Sequence, residues 1–254
     1  MLGIGAAVRQ ARSLAHVEHR PWPPPERRWT MGQTWQDLLF AHWRVPPEEV
    51  RRHLPDELEV DLHDGNAWLG ITPFRLTGLR ARGVLPLPQL SSFLELNVRT
   101  YVCAADEKPG IWFFSLDATS RVAVSAARRM YRLPYFHARM TLEPGGGWFD
   151  VECARSVERG KVFSGRYRPE GPIFHAEPGS LEWFLTERYC LYTTGPGGAL
   201  YRAEIHHDRW PLQRADAEIE LTSIAPLELR GEPLCHYAVR QDVVIWPLER
   251  VVLG

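Results

Sequence analysis

From residue 56 onward the chain reads with a period of two, in short segments closed by glycine- and proline-bearing turns. Alternating, β-branched or aromatic stretches occupy 57–62, 66–72, 93–104, 110–117, 135–142, 148–155, 161–168, 199–206, 217–222 and 235–246. Turn residues separate them at Asp64-Gly65, Lys108-Pro109-Gly110, Pro144 to Gly147 and Gly195 to Gly198. So many short strands without regular helices between them predict an antiparallel sheet system that closes as a barrel. Two helices interrupt the pattern. One is expected over 120–132, capped by Ser120, with Val122, Ala126 and Met130 four apart. The other is expected over 181–192, capped by Ser180 and carrying Leu181, Phe184, Leu185 and Tyr192. A shorter helix around 46–53 starts on Pro46-Pro47 and is stopped by Pro55. The fold class is therefore α+β, mainly β: an antiparallel closed β-barrel with a few packed helices. Residues 1–30 read as an N-terminal extension, weakly helical over 4–15, and a stiff lead-in through Pro23-Pro24-Pro25. No repeat or linker divides the remainder, so 31–254 is expected to be a single domain.

Composition narrows the partners. Thirty basic against 31 acidic side chains leave a formal net charge of −1, without the basic field that a general nucleic-acid or anionic-membrane binder needs. The uncharged stretches 83–94 and 189–201 are broken by Pro or Gly and are too short to span a bilayer. Residues 2–8 are apolar but lack a basic region before them. Cys103, Cys153, Cys190 and Cys235 lie far apart with no C-x-x-C pair, which suits small buried thiols in a reducing cytoplasm. A cytoplasmic protein with neither membrane nor nucleic-acid partner is expected, and a homo-oligomer is left open.

Strand faces carry the functional signal. Along 93–104, Phe93, Glu95, Asn97, Arg99 and Tyr101 point one way, and Leu94, Leu96, Val98, Val102 and Ala104 the other. Along 135–142, Tyr135, His137, Arg139 and Thr141 oppose Phe136, Ala138, Met140 and Leu142. The polar faces meet water, or they line a barrel lumen. Ile111-Trp112-Phe113-Phe114 is apolar on both faces and should be a central strand. No P-loop, G-x-G-x-x-G turn, G-x-S-x-G elbow or H-E-x-x-H helix occurs, so no cofactor and no metal is expected. In His206-His207-Asp208 adjacent strand residues face opposite ways, so at most His206 and Asp208 could share a metal, and a rim or turn position is expected instead. Arg128, Arg129 and Arg132 form one polar helix arc, read as a solvated face or as contacts to acidic groups.

Several longer segments carry a family likeness: Arg20-Pro-Trp-Pro, Gln33 to Trp43, Phe93 to Tyr101, Leu185 to Tyr192, and Trp210-Pro-Leu-Gln213. On these, the chain from Arg20 to about Arg250 resembles the YqjF-like family of uncharacterised bacterial proteins, which look like relatives of acetoacetate decarboxylase. The resemblance implies a β-barrel of the acetoacetate decarboxylase-like type with a small-molecule pocket in its interior. Such decarboxylases carry a strand glutamate and then a pattern close to G-R-E-x-x-G-x-P-K-K. Its first lysine forms a Schiff base, and its second lowers the first one's pKa. The glutamate falls on Glu95 and the pattern on Ala127 to Phe136, with matches at Arg128 and Pro134. Tyr135 and Phe136 stand where the two lysines would be, and Lys108 and Lys161, the only lysines, lie elsewhere. A phenol forms no imine, so amine-dependent decarboxylation is not expected. The likeness favours the lumen reading of the polar faces. Two functions follow. A binder would use Glu95, Arg99, Tyr101, Tyr135 and His137, with Arg99 or Arg128 pairing any anionic group. A non-covalent isomerase, hydratase or decarboxylase would use Glu95 or His137 as general base, with Tyr135 or Arg128 stabilising an enolate.

Overall fold

A computed structural model describes residues 2–87, 90–105 and 108–252. Among them the chain forms four α-helices, α1 (Leu2–Arg12), α2 (Pro47–Arg51), α3 (Arg121–Tyr131) and α4 (Leu181–Thr186). Thirteen strands share one sheet. The first five are β1 (Met31–Val45), β2 (Leu58–Val60), β3 (Ala67–Ala81), β4 (Phe93–Ala104) and β5 (Pro109–Ala118). After α3 come β6 (Tyr135–Gly145), β7 (Trp148–Arg155) and β8 (Val162–Phe174). After α4 come β9 (Cys190–Thr194), β10 (Leu200–His207), β11 (Leu212–Thr222), β12 (Leu234–Ile245) and β13 (Glu249–Arg250). Each of the ten segments read from alternation coincides with a strand, and β4 and β7 match to the residue.

The order across the sheet is β13-β10-β9-β5-β6-β7-β8-β11-β12-β1-β3-β4-β2, with further pairings of β10 with β12 and of β4 with β5. The expectation of a purely antiparallel sheet is corrected, because β5 pairs in parallel with both β6 and β9. The reason for the first is the connection: α3 carries the chain back across the sheet between β5 and β6, as a parallel pair requires. On that edge of β5, β6 takes Leu116 to Ala118 and β9 takes Ile111 and Trp112, while β4 holds the other edge.

β1 escaped the alternation reading for two reasons. It is apolar on both faces: Leu38 and Phe40 pack with Phe74 and Leu116 on one side. Leu39, Ala41 and Trp43 pack with Leu69, Ile71 and Val98 on the other. Its pairing with β3 also slips between Gln36 and Ala41, where Asp37 takes a positive φ of 52°. The expected 181–192 helix ends at Thr186, and the alternating run beyond it becomes β9, with Leu191 on one core and Tyr192 on the other. His206 and His207 lie buried within β10 rather than at a rim. His206 Nε2 meets the Ser13 carbonyl at 2.9 Å, His207 stacks on Tyr189, and burial pushes both imidazoles down to about 3. The first thirty residues are anchored to the sheet: the buried Gln10 side chain donates to Gly78 and accepts from Arg80, and Arg9 pairs with Asp242 at 2.9 Å. No helix among the described residues is long and apolar enough to cross a membrane.

Candidate functional site

A cavity of about 110 Å³ opens between β4, β5 and α3. That is room for several water-sized groups. β4 contributes Phe93, Glu95, Asn97 and Arg99, the four successive residues of the face read as polar. β5 contributes Ile111, Phe113 and Leu116. These three share a side because the register against β4 slips at Phe114, so that Val98 faces Ser115 while Arg99 faces Phe113. The bulge resets the parity and keeps the wall apolar. α3 closes the roof with Ala123, Ala126 and Ala127, whose small side chains leave the space open, and with Met130, which is also exposed to solvent. Ser120 caps that helix by accepting from the Ala123 amide at 3.2 Å. Ser120→Ala should therefore cost about 1 kcal/mol, read as a melting temperature lower by about 2–4 °C; an unchanged melting curve would contradict the cap.

Glu95 is the chemical centre of the cavity. It is 3 % exposed, and its Oε2 accepts from the Tyr135 hydroxyl at 3.1 Å. Burial pushes its carboxyl from the ordinary 4.5 up to about 8, and the Asp117 charge adds to this. Hydrogen bonds from Tyr135 and Asn97 pull the other way without winning. Burial, with Glu95 beside it, holds the Tyr135 phenol well above its usual range. At neutral pH the pair is thus an uncharged acid beside an uncharged phenol. Tyr135 donates to Oε2, so the proton of the neutral carboxyl is a further donor inside the cavity, next to the buried Asn97 amide.

Arg99 lies deeper along the same strand face, 6 % exposed. One of its terminal nitrogens donates to the Leu185 carbonyl at 3.2 Å and to the Tyr101 hydroxyl at 3.4 Å, and the guanidinium sits 5.2 Å from the Phe40 ring centroid. Its buried Nε has no hydrogen-bond partner. Gly70 permits this arrangement, since a Cβ there would lie 3.0 Å from His42 and 3.4 Å from Arg99.

The other three sequence candidates lie outside the cavity wall. Tyr101 follows the alternation of β4 but sits past the cavity, with its hydroxyl on the Leu185 carbonyl at 2.8 Å and on His42 at 2.6 Å. Arg128 turns back along α3, where its Nε donates to the Tyr135 carbonyl at 2.6 Å and so fixes the strand that carries Tyr135. His137 meets Ser156 at 2.8 Å, because β6 leaves β5 after Ala118 and heads toward β7. Among the described residues no group of three or more His, Cys, Asp or Glu side chains could hold a metal ion.

A model of the DUF2071 family, described as an uncharacterized conserved protein, matches residues 32–242. The chain belongs to that family. Uncharacterized protein YqjF of Bacillus subtilis (strain 168) is 45 % identical over 230 residues, covering 89 % of this chain and 94 % of its own. Solved structures place the DUF2071 fold beside the acetoacetate decarboxylases. The acetoacetate decarboxylase of Legionella pneumophila subsp. pneumophila str. Philadelphia 1 superposes with a TM-score of 0.67 at 10 % identity, over 92 % of this chain and 93 % of that one. The enduracididine biosynthesis enzyme MppR, complexed with pyruvate, gives 0.62 at 15 % identity over 92 % and 93 %. An acetoacetate decarboxylase-like enzyme from Sphingomonas wittichii RW1 gives 0.61 at 15 % identity over 92 % and 99 %.

This DUF2071 chain brings no lysine to its cavity. Lys108 Nζ lies 3.4 Å from Glu204 and over the Trp22 ring, and Lys161 Nζ donates to the Ala225 carbonyl at 3.3 Å. Sequence reasoning missed Gln33 and Trp35, which line the cavity from β1, and the alanine face of α3. The i, i+3, i+4 spacing of Ala123, Ala126 and Ala127 was there to be read, but small residues signal close packing as readily as open space.

Proposed function

We propose that this protein binds a small amphipathic molecule bearing a carbonyl, hydroxyl or carboxylate oxygen, without amine chemistry. One observation carries the reading: an uncharged carboxyl and an uncharged phenol, Glu95 and Tyr135, converge in a mostly apolar cavity that also holds Gln33, Asn97 and Arg99 but no lysine. The ring of pairings that runs from β5 through β9, β10, β12, β1, β3 and β4 back to β5 supports a closed barrel around that cavity. Residues 31–254 form the barrel domain in this reading, with 1–30 strapped to it. Two of the fold neighbours bear names that speak of oxo acids, acetoacetate for one and pyruvate for the other. Four free cysteines fit a cytoplasmic setting. A second reading has its own support. A carboxyl near 8 is poised for general acid–base work at physiological pH, so the cavity would serve a non-covalent enzyme acting on a keto compound, with Glu95 as acid or base and Tyr135 steadying an enolate.

Borohydride reduction in the presence of oxo acids should trap no adduct, and a metabolite series should raise the melting temperature without turnover. A trapped adduct would refute the absence of amine chemistry. If no compound shifted the melting curve, the binding reading would fall. Turnover that Glu95→Gln abolishes while binding persists would establish the enzyme instead.

A further inference from the structure

We infer that the ligand is a monocarboxylate whose neutral carbonyl or hydroxyl oxygen is set apart from the carboxylate by an apolar spacer of several carbons. This rests on the binding reading above and specifies its ligand. The cavity has two polar poles on one strand face. Glu95 and Arg99 are four residues apart on β4, roughly 13 Å between Cα atoms at the rise of a strand. They differ in what they lack. Arg99 is a buried cation whose contacts are neutral, the Leu185 carbonyl and the Tyr101 hydroxyl, and its Nε is unpartnered. Among the described residues no carboxylate lies within ion-pair distance of it, unlike the buried Arg20 and Arg155, which pair with Glu204 and Asp117. A guanidinium held this way is completed by an anion, and a carboxylate matches its donor geometry.

The Glu95 pole asks for the opposite. A second negative charge there would be unpaired, in apolar surroundings and close to Asp117, so an anionic group is disfavoured. The Glu95 proton suits a neutral oxygen instead, the Tyr135 proton being already donated to Oε2. Between the poles the neighbouring strand β5 is apolar, with Phe113 in register with Arg99 and Leu116 with Asn97, the one polar side chain on that stretch of the β4 face. The cavity of about 110 Å³ admits one short chain reaching from pole to pole. A 3-oxo acid brings its two oxygens too close together to engage both.

The test titrates the unmodified protein with acetoacetate, 5-oxohexanoate, 7-oxooctanoate, octanoate and 2-octanone, followed by calorimetry. 7-Oxooctanoate should bind tightest, with octanoate and 2-octanone each roughly tenfold weaker or more, and acetoacetate weaker than 5-oxohexanoate. Arg99→Met should abolish the preference for 7-oxooctanoate over 2-octanone while 2-octanone still binds. That residual binding also shows that the variant's cavity is intact. If 2-octanone bound as tightly as 7-oxooctanoate, the carboxylate would be wrong; if acetoacetate did, the spacer would be wrong. Either result leaves the cavity as a binding site. Failure of all five compounds, 2-octanone included, would remove the cavity reading itself.

Discussion

Glu204→Ala is expected to cost about 3–5 kcal/mol of folding stability, the largest single loss anticipated outside the apolar cores. Glu204 is 2 % exposed in β10, and its carboxylate gathers the N-terminal lead-in. Arg20 reaches it at 3.0 Å and the Trp22 indole at 2.8 Å, both on Oε2. Lys108 stands 3.4 Å and Arg202 3.7 Å from the other oxygen. The Arg20 side chain is fully buried and lies over the Tyr189 ring, and burial already lowers its pKa against the pull of Glu204. Without the carboxylate a buried guanidinium keeps only backbone carbonyl acceptors, and an uncompensated buried charge is costly. The melting temperature should fall by roughly 10 °C for a chain of this size. The paired change Arg20→Leu with Glu204→Leu should recover part of that loss, since it removes the stranded guanidinium, while Arg202 keeps Glu249 at 3.5 Å and Lys108 is partly exposed. A Glu204→Ala variant melting within about 2 °C of the parent would show that the cluster contributes little.

That cluster also marks where sequence reading ends. Arg20-Pro-Trp-Pro was recognisable as a motif, but its partner is 184 positions away, and no local pattern announces a contact across such a distance. β4 was legible to the residue because its faces differ. Leu96, Val98 and Val102 enter one core, while Glu95, Asn97 and Arg99 turn to the cavity. β1 was not, because Leu38 to Ala41 are buried on both faces and Asp37 interrupts the alternation. Strand direction was misjudged at β5 for a related reason: alternation shows that a segment is a strand, not which neighbour it meets or in which sense. The candidate site divides likewise. Glu95 and Tyr135 could be placed together from strand parity and family resemblance, and a 3.1 Å hydrogen bond joins them. Gln33, Met130 and the alanines of α3 depend on how the helix and β1 sit over the strand, which only the three-dimensional packing decides.

The second large effect is a pH dependence of stability that Glu95→Gln should remove. A carboxyl at 4.5 in the unfolded chain and about 8 in the folded one makes the native state the better proton binder between those values. Stability from this group is therefore fully present below about pH 4.5, falls as the pH rises, and levels off above about 8. The full swing has a ceiling of about 5 kcal/mol, set by the energy of moving one buried carboxyl between its two charge states. Buried His206 and His207, both pushed down to about 3, act with the opposite sense: they withdraw stability as the pH drops below the ordinary imidazole range. They remain in the variant, so the difference between parent and Glu95→Gln isolates the carboxyl. Urea unfolding at pH 5 and pH 9 should show the variant gaining several kcal/mol on the parent at the higher pH. A difference that stays constant across that range would mean that Glu95 is ionised throughout and that the cavity offers no neutral acid. Binding provides the link to function: the affinity of the parent for a neutral oxygen should decline above about pH 8, as the donated proton is lost, while the glutamine amide, still a donor, keeps it.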